Sequence, residues 1–263
     1  MTGTFSFRNV SAYYVILVTD LLLAAVYALA QSQRSLPPLV SGVALPVVSI
    51  AALTFAILNE TAIGISKNRL SIVWLCFTLG LVGWFLSELA WVLYPIILGT
   101  PTPTPSIADA FGLGAYAPVL FGLGVQAWPF GENFRTRPIL VATLAAIAVG
   151  IAVFAALIPS ILSISGGGLD VLVDCTYATL DLVTLIIAMP SLLVFRSGTW
   201  WRPFLVLCSG LVLALSGHLL SAWTDLNGSY YPGHPLDLLF AWGYLSAALG
   251  FYLMWKKIKA RML

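Results

Sequence analysis

Eight times along this chain, eighteen or more residues pass with few or no charges, enough at 1.5 Å per residue for a helix to cross about 30 Å of hydrocarbon. The runs cover residues 12–31, 38–58, 71–97, 107–128, 138–159, 169–194, 203–224 and 237–255, and each predicts one spanning helix. Pro95, Pro118 and Pro190 fall inside runs, where they predict kinks. The first run is read as a retained span. It carries Asp20 and has neither a basic leader nor a small-x-small cleavage site, so it does not read as a signal peptide.

Composition agrees with this pattern. The 263 residues are 60% hydrophobic and 8% charged, with a mean hydropathy of +0.99, far too few charges for a water-soluble surface. The predicted fold class is therefore all-α, a polytopic membrane protein. Charge then orients it, because cytoplasmic loops collect Lys and Arg. With the N-terminus inside, the cytoplasmic face receives Arg8, Lys67, Arg69, Arg135, Arg137, Arg196, Arg202, Lys256, Lys257, Lys259 and Arg261, and the outer face only Arg34. Both termini are thus expected in the cytoplasm, with the chain multi-pass in the plasma membrane of a prokaryotic cell. Trp200, Trp201 and Trp255 read as interfacial anchors. The basic residues are explained by topology and by anionic lipid, not by nucleic acid. Cys76, Cys175 and Cys208 lie within runs and form no CxxC or Cys/His cluster, so neither disulfides nor zinc are expected.

Internal similarity comes next. Setting Asp109 on Asp237 also sets Tyr116 on Tyr244 and Gly122 on Gly250 without a gap. Upstream, GWFLSEL (Gly83–Leu89) aligns with GHLLSAW (Gly217–Trp223), matching Gly83 with Gly217, Leu86 with Leu220 and Ser87 with Ser221. The first copy has six more residues between the two blocks, in a proline-rich loop. This offset carries run 3 to run 7 and run 4 to run 8, an even number of crossings. The halves, 1–134 and 135–263, are therefore predicted to be parallel four-helix repeats. In each, the aspartate opens an outer-side helix, where it can cap backbone N–H groups, and the tyrosine follows two turns along the same face.

The stretch GWFLSELAWVLYPIILGTPTPTPSIADAFGLGAY, Gly83–Tyr116, resembles the repeated blocks of multi-span sensory modules at the N-termini of some prokaryotic histidine kinases and diguanylate cyclases. The resemblance rests on Gly83, Glu88, Trp91 and Tyr94, on Pro105-Ser106-x-Ala108-Asp109-x-Phe111, and on Tyr116. It extends more loosely to the second half. It implies a sensory architecture without naming a ligand. This chain ends at WKKIKARML, with no output domain after it, so a signal is expected to pass to a separate membrane or cytoplasmic protein.

Ionisable groups at membrane depth cost on the order of 2.5 to 3.5 kcal/mol and need a reason. Asp20, Glu88, Asp181 and His218 are such groups. Asp174, Tyr177 and Asp181 recur at i, i+3 and i+7 in run 6, with Asp170 extending the stripe outward. His218, Ser221 and Asp225 repeat that spacing in run 7, and Trp84, Glu88 and Trp91 share a face in run 3. Nearly all lie in the outer half, where only Arg34, His218 and His234 could balance the carboxylates. A cavity open to the outside fits this imbalance better than a dry core, although the same groups could serve as hydrogen-bonded glue between helices. The candidate ligand- or ion-binding residues are Glu88, Asp109, Asp174, Asp181, His218, Asp225 and Asp237, with Trp91, Tyr94, Trp223 and Tyr244 as aromatic walls.

Sharper chemistries fit poorly. No lysine lies inside a run to carry a retinal Schiff base. Two histidines supply little for a zinc site built from His218, His234, Asp225 and Asp237, and a haem between His218 and His234 would pair a span with a loop. The glycines Gly166, Gly167 and Gly168 between runs 5 and 6 lack any cation for a phosphate site. No nucleophile and base stand at an interpretable spacing, so neither catalysis nor a cofactor is expected. The reading is a sensory or ligand-binding membrane protein for a small ligand or ion. Its rivals are a proton- or cation-coupled transporter using Glu88, Asp181 and Asp20, and a non-catalytic subunit of a membrane complex.

Overall fold

The computed structural model describes residues 7–33, 36–64, 68–100, 102–127, 137–164, 168–194 and 200–262. They form eight helices and, among the described residues, no strand: α1 (Phe7–Ala30), α2 (Leu36–Ile63), α3 (Arg69–Leu98), α4 (Ile107–Ala127), α5 (Arg137–Ile164), α6 (Leu169–Val194), α7 (Trp201–Leu226) and α8 (Asp237–Met262). All eight are long and apolar enough to cross a membrane. Arg34, Lys67, Arg135, Arg196, Gly166 and Gly167, which entered the charge count and the loop argument, lie outside the described residues.

Local chemistry sets several helix ends. Asn68 caps α3 by accepting the Ser71 N–H at 2.8 Å. Gly99 closes α3 in the left-handed region, φ 66°, its N–H donating to Pro95 O. Arg69 donates Nε to Val125 O at 2.9 Å and a guanidinium N–H to Gln126 O, covering carbonyls that the end of α4 leaves unpaired.

Four helix ends differ from the hydropathy reading by five residues or more: α1 starts at Phe7 where its run starts at 12, α5 reaches Ile164 where its run stops at 159, and α2 and α8 also run on. Run 2 was read to stop at 58, but α2 continues through Asn59, Glu60 and Thr61 to Ile63. Hydropathy falls at these polar residues while the helix persists, since Asn59 is fully buried and Glu60 accepts the Thr78 hydroxyl. Run 8 was read to end at 255, but α8 runs on to Met262 and carries Lys256, Lys257 and Lys259 in its last turns. A helix thus does contain lysines, at one end only. Pro46 and Pro159 join Pro95, Pro118 and Pro190 inside helices.

Small residues let the helices of two hairpins approach closely. A Cβ on Gly83 would stand 2.8 Å from Ala115 Cβ and 3.1 Å from Phe111 O across α3 and α4. On Gly217 it would stand 3.0 Å from Leu239 Cβ across α7 and α8. Gly122 meets Cys76 of α3, as Gly250 meets Leu207 of α7. Between these hairpins lies the main core, with Trp74 edge-on to Phe251 at 5.2 Å and Phe77 edge-on to Phe204 at 5.7 Å. Outside it, α2 packs along α8, while α6 touches α4 more sparsely. Large apolar side chains of α1 and α5, such as Leu21, Leu29, Val141 and Ile151, face outward.

The two ends of the bundle differ in chemistry. At one, Ser41 of α2 donates to Asp237 at 2.7 Å and Gln31 Nε2 donates to Gly233 O at 3.0 Å, so the α1–α2 and α7–α8 connections meet. At the other, Lys257 lies 5.3 Å over the Trp200 ring and Lys259 lies 4.9 Å over Trp255.

Candidate functional site

The polar stripes of α3, α6 and α7 face a common space. A cavity of about 520 Å³ lies among α3, α4, α6, α7 and α8, on the side where α6 stands off from α4. Glu88, Asp109, Asp174, Asp181, His218, Asp225, Trp91 and Tyr244 all line it. No Lys or Arg does. Its mouth is at the Asp237 end of the bundle, where Asp174, Asp225 and Trp91 are exposed. Its floor is apolar, made by residues such as Phe77, Leu207 and Phe251.

Three predicted residues are elsewhere. Trp223 is 45% exposed on the outside of α7, and Tyr94 does not line the space. Asp237 is 2% exposed and is consumed by hydrogen bonds from Ser41 Oγ (2.7 Å), Tyr230 Oη (2.8 Å) and the Gly233 N–H (2.9 Å). Burial and the adjacent Asp237 carboxylate push the Tyr230 phenol well above its ordinary value, so it stays a neutral donor.

The capping idea also splits between the two aspartates. Asp109, three residues into the first turn of α4, reaches back to the Ser106 N–H at 2.7 Å and the Ser106 hydroxyl at 3.1 Å, which is one half of a capping box. At α8 the forward cap comes from His234, whose Nδ1 accepts the Leu236 N–H at 3.2 Å, while Asp237 binds the loop behind it. His234 packs on the Tyr231 ring 5.1 Å away and does not line the cavity.

Deep in the cavity, four side chains from four helices converge. Asp181 sits 12 positions after Leu169, about 18 Å along α6 at 1.5 Å per residue, and is 2% exposed. It accepts the Tyr116 hydroxyl of α4, and His218 Nδ1 of α7 stands 3.4 Å from both the Asp181 carboxylate and the Tyr116 oxygen. The His218 side chain is 34% accessible, so the cavity reaches this cluster through the imidazole. Glu88 of α3 lies 3.5 Å from the Tyr244 hydroxyl and within electrostatic reach of His218.

Nearer the mouth, Tyr177 lies within electrostatic reach of Asp109, its hydroxyl over Gly112, where any Cβ would collide with it. Trp84 stands edge-on to Tyr116 at 5.6 Å, and its buried indole N–H has no hydrogen-bond acceptor among the described residues.

Tyr177, Trp84, Gly112 and Tyr230 belong to the lining, and Tyr116 is buried behind it on Asp181, yet all five are missing from the sequence-derived site. A signal existed for three of them. Tyr177 lies in the stripe of Asp174 and Asp181, Trp84 shares a face with Glu88, and Tyr116 recurs as Tyr244. Asp20, by contrast, lies on α1 with one carboxylate oxygen buried and unpaired, away from the lining. A relay through Glu88, Asp181 and Asp20 therefore has no continuous path along the cavity wall. Among the described residues, no three His, Cys, Asp or Glu side chains are grouped to hold a metal ion. Compared with known protein families, with curated proteins and with solved structures, the chain matches none.

Proposed function

We propose that this chain is a multi-pass plasma-membrane protein of a sensory or ligand-binding kind, whose cavity takes a small ligand or ion from the outer side and whose basic inner face relays occupancy to a partner protein. The single observation that carries the reading is the cavity of about 520 Å³, walled by five carboxylates and one histidine with no Lys or Arg among the described residues. That volume lies within the range of about 300 to 1,000 Å³ usual for small-molecule sites. A lining this unbalanced is costly to maintain unless something balances it.

The architecture proposed with it is two parallel four-helix repeats, 1–134 and 135–263, with both termini cytoplasmic. Equivalent contacts support the duplication: Gly83 with Phe111 answers Gly217 with Leu239, and Gly122 with α3 answers Gly250 with α7. The likeness to sensory modules of histidine kinases and diguanylate cyclases points the same way, toward recognition rather than catalysis.

Thermal unfolding of the purified protein in nanodiscs, with and without small-molecule extract from its native cells, tests the reading. Ligand at about 100 times its Kd stabilises by roughly 2.7 kcal/mol, so the midpoint should rise for the wild type. Ala222→Phe, which fills the cavity from α7, should abolish the rise while the variant stays folded. If the filled variant responds as the wild type does, the cavity is not the site.

A further inference from the structure

The cavity is divided along its length, and the division describes an occupant. Carboxylates gather toward the mouth, as Asp109, Asp174 and Asp225, and then at the level of His218, as Glu88 and Asp181. Below them the walls are aliphatic and aromatic, with Leu81, Leu211, Leu215 and Phe251 among them. Taking the cavity as the ligand site, we propose that its ligand is an organic cation, an ammonium head carried on an apolar, ring-sized body, and that Glu88 is the counter-ion of the head.

Four observations lead there. The other deep or half-buried acids are already engaged: Asp181 by Tyr116 and His218, and Asp109 by the Ser106 N–H and hydroxyl. Glu88 has only the long 3.5 Å approach of the Tyr244 hydroxyl, which leaves its carboxylate the least satisfied of those below the exposed mouth. Rings surround it, with Trp84 and Trp91 on its own helix face and Tyr244 across from it, the company that an alkylammonium prefers. The fourth observation is independent of charge. The indole N–H of Trp84, one turn deeper than Glu88, is buried without an acceptor, so the lining does not satisfy its own polar groups.

A bare metal ion fits less well. The carboxylates are not grouped as ligands among the described residues, and the apolar floor would have no role. An anion is disfavoured by every charged group in the wall except His218.

The test uses the full chain in phosphatidylcholine nanodiscs, with binding followed by tryptophan fluorescence and empty nanodiscs as background. The probes are (2-phenylethyl)trimethylammonium and its uncharged carbon isostere, (3,3-dimethylbutyl)benzene. The cation should bind at least about tenfold more tightly than the isostere, and Glu88→Gln should remove about tenfold or more of that affinity, as loss of the opposite charge beside a partly desolvated quaternary ammonium does. Glu88→Asp, which keeps the charge, should lose only a few-fold and serves as the folding control. Equal binding of cation and isostere, or an unchanged affinity in a folded Glu88→Gln, overturns the cation assignment and leaves the cavity reading intact. No binding of either probe, with a cell extract that still stabilises the wild type but not Ala222→Phe, also overturns it alone. Failure of both probes and extract overturns the two together.

Discussion

Aspartate 109 and aspartate 237 open helices in matching sequence contexts, yet the fold uses them differently. Asp109 faces the cavity and holds Ser106, whereas Asp237 is sealed by Ser41, Tyr230 and Gly233. Local sequence shows that each begins a helix, but it cannot show the difference. Ser41 comes from α2, 196 positions away, and a contact of that separation leaves no trace in a window of one turn. Glu88, Asp181 and His218 were legible for the opposite reason: an ionisable group in an apolar run needs explanation wherever it lands. Gly112 shows what remains hidden, because nothing in its neighbourhood announces that Tyr177 will occupy the space above it. Gly112→Ala should therefore destabilise by about 1 to 3 kcal/mol through overpacking and displace the Tyr177 ring. In a Tyr177→Phe background the atom that collides is gone, so the same substitution should cost distinctly less. Thermal unfolding of the four proteins in the double-mutant cycle measures this, and additive costs would show that the two residues do not meet.

Helices α1 to α8 were nearly all readable as apolar runs, since a spanning segment must be long and uncharged whatever it packs against. Their ends were less so. Hydropathy stops at Asn59 and at Lys256, whereas backbone hydrogen bonding continues α2 to Ile63 and α8 to Met262. Which helices pair was legible only through glycine. Gly83 and Gly217, matched in the internal alignment, each sit where one helix of a hairpin nears the other. The closest approach of a hairpin glycine to its neighbour's backbone was not singled out: a Cβ on Gly210 would stand 2.6 Å from Gly243 O and 2.8 Å from Ser246 Cβ, on the face of α7 that meets α8. Backbone cannot yield as a flexible side chain does. Gly210→Ala should push α7 from α8 and cost about 1 to 3 kcal/mol, while Gly114→Ala, with open space at its Cβ, should be neutral or slightly stabilising. Comparable unfolding midpoints for the two variants would contradict the close approach of α7 and α8.

At the scale of the whole molecule, asymmetry makes the cavity and charge orients it. The third and fourth helices pack as closely as the seventh and eighth, but α2 closes against α8 while its counterpart α6 leaves α4 partly uncovered. The carboxylates of Glu88, Asp174 and Asp181 look into that gap. An even number of antiparallel crossings brings both ends of the chain to one face: Lys257 of α8 lies over Trp200, and Tyr13 of α1 is within electrostatic reach of Arg202. The cavity mouth, with Asp225, is at the opposite face. Lys and Arg collect on the side that is not translocated, so the mouth is expected outside the cell and the cation–aromatic cluster inside. Single cysteines at exposed Asn227 and exposed Ala260, in a chain with Cys76, Cys175 and Cys208 replaced by alanine, separate the two faces. A membrane-impermeant maleimide should label Asn227→Cys in intact cells and Ala260→Cys only after permeabilisation. The reverse pattern would turn the cavity toward the cytoplasm and make any ligand an internal one. Labelling of both sites in intact cells would break the eight-crossing topology itself.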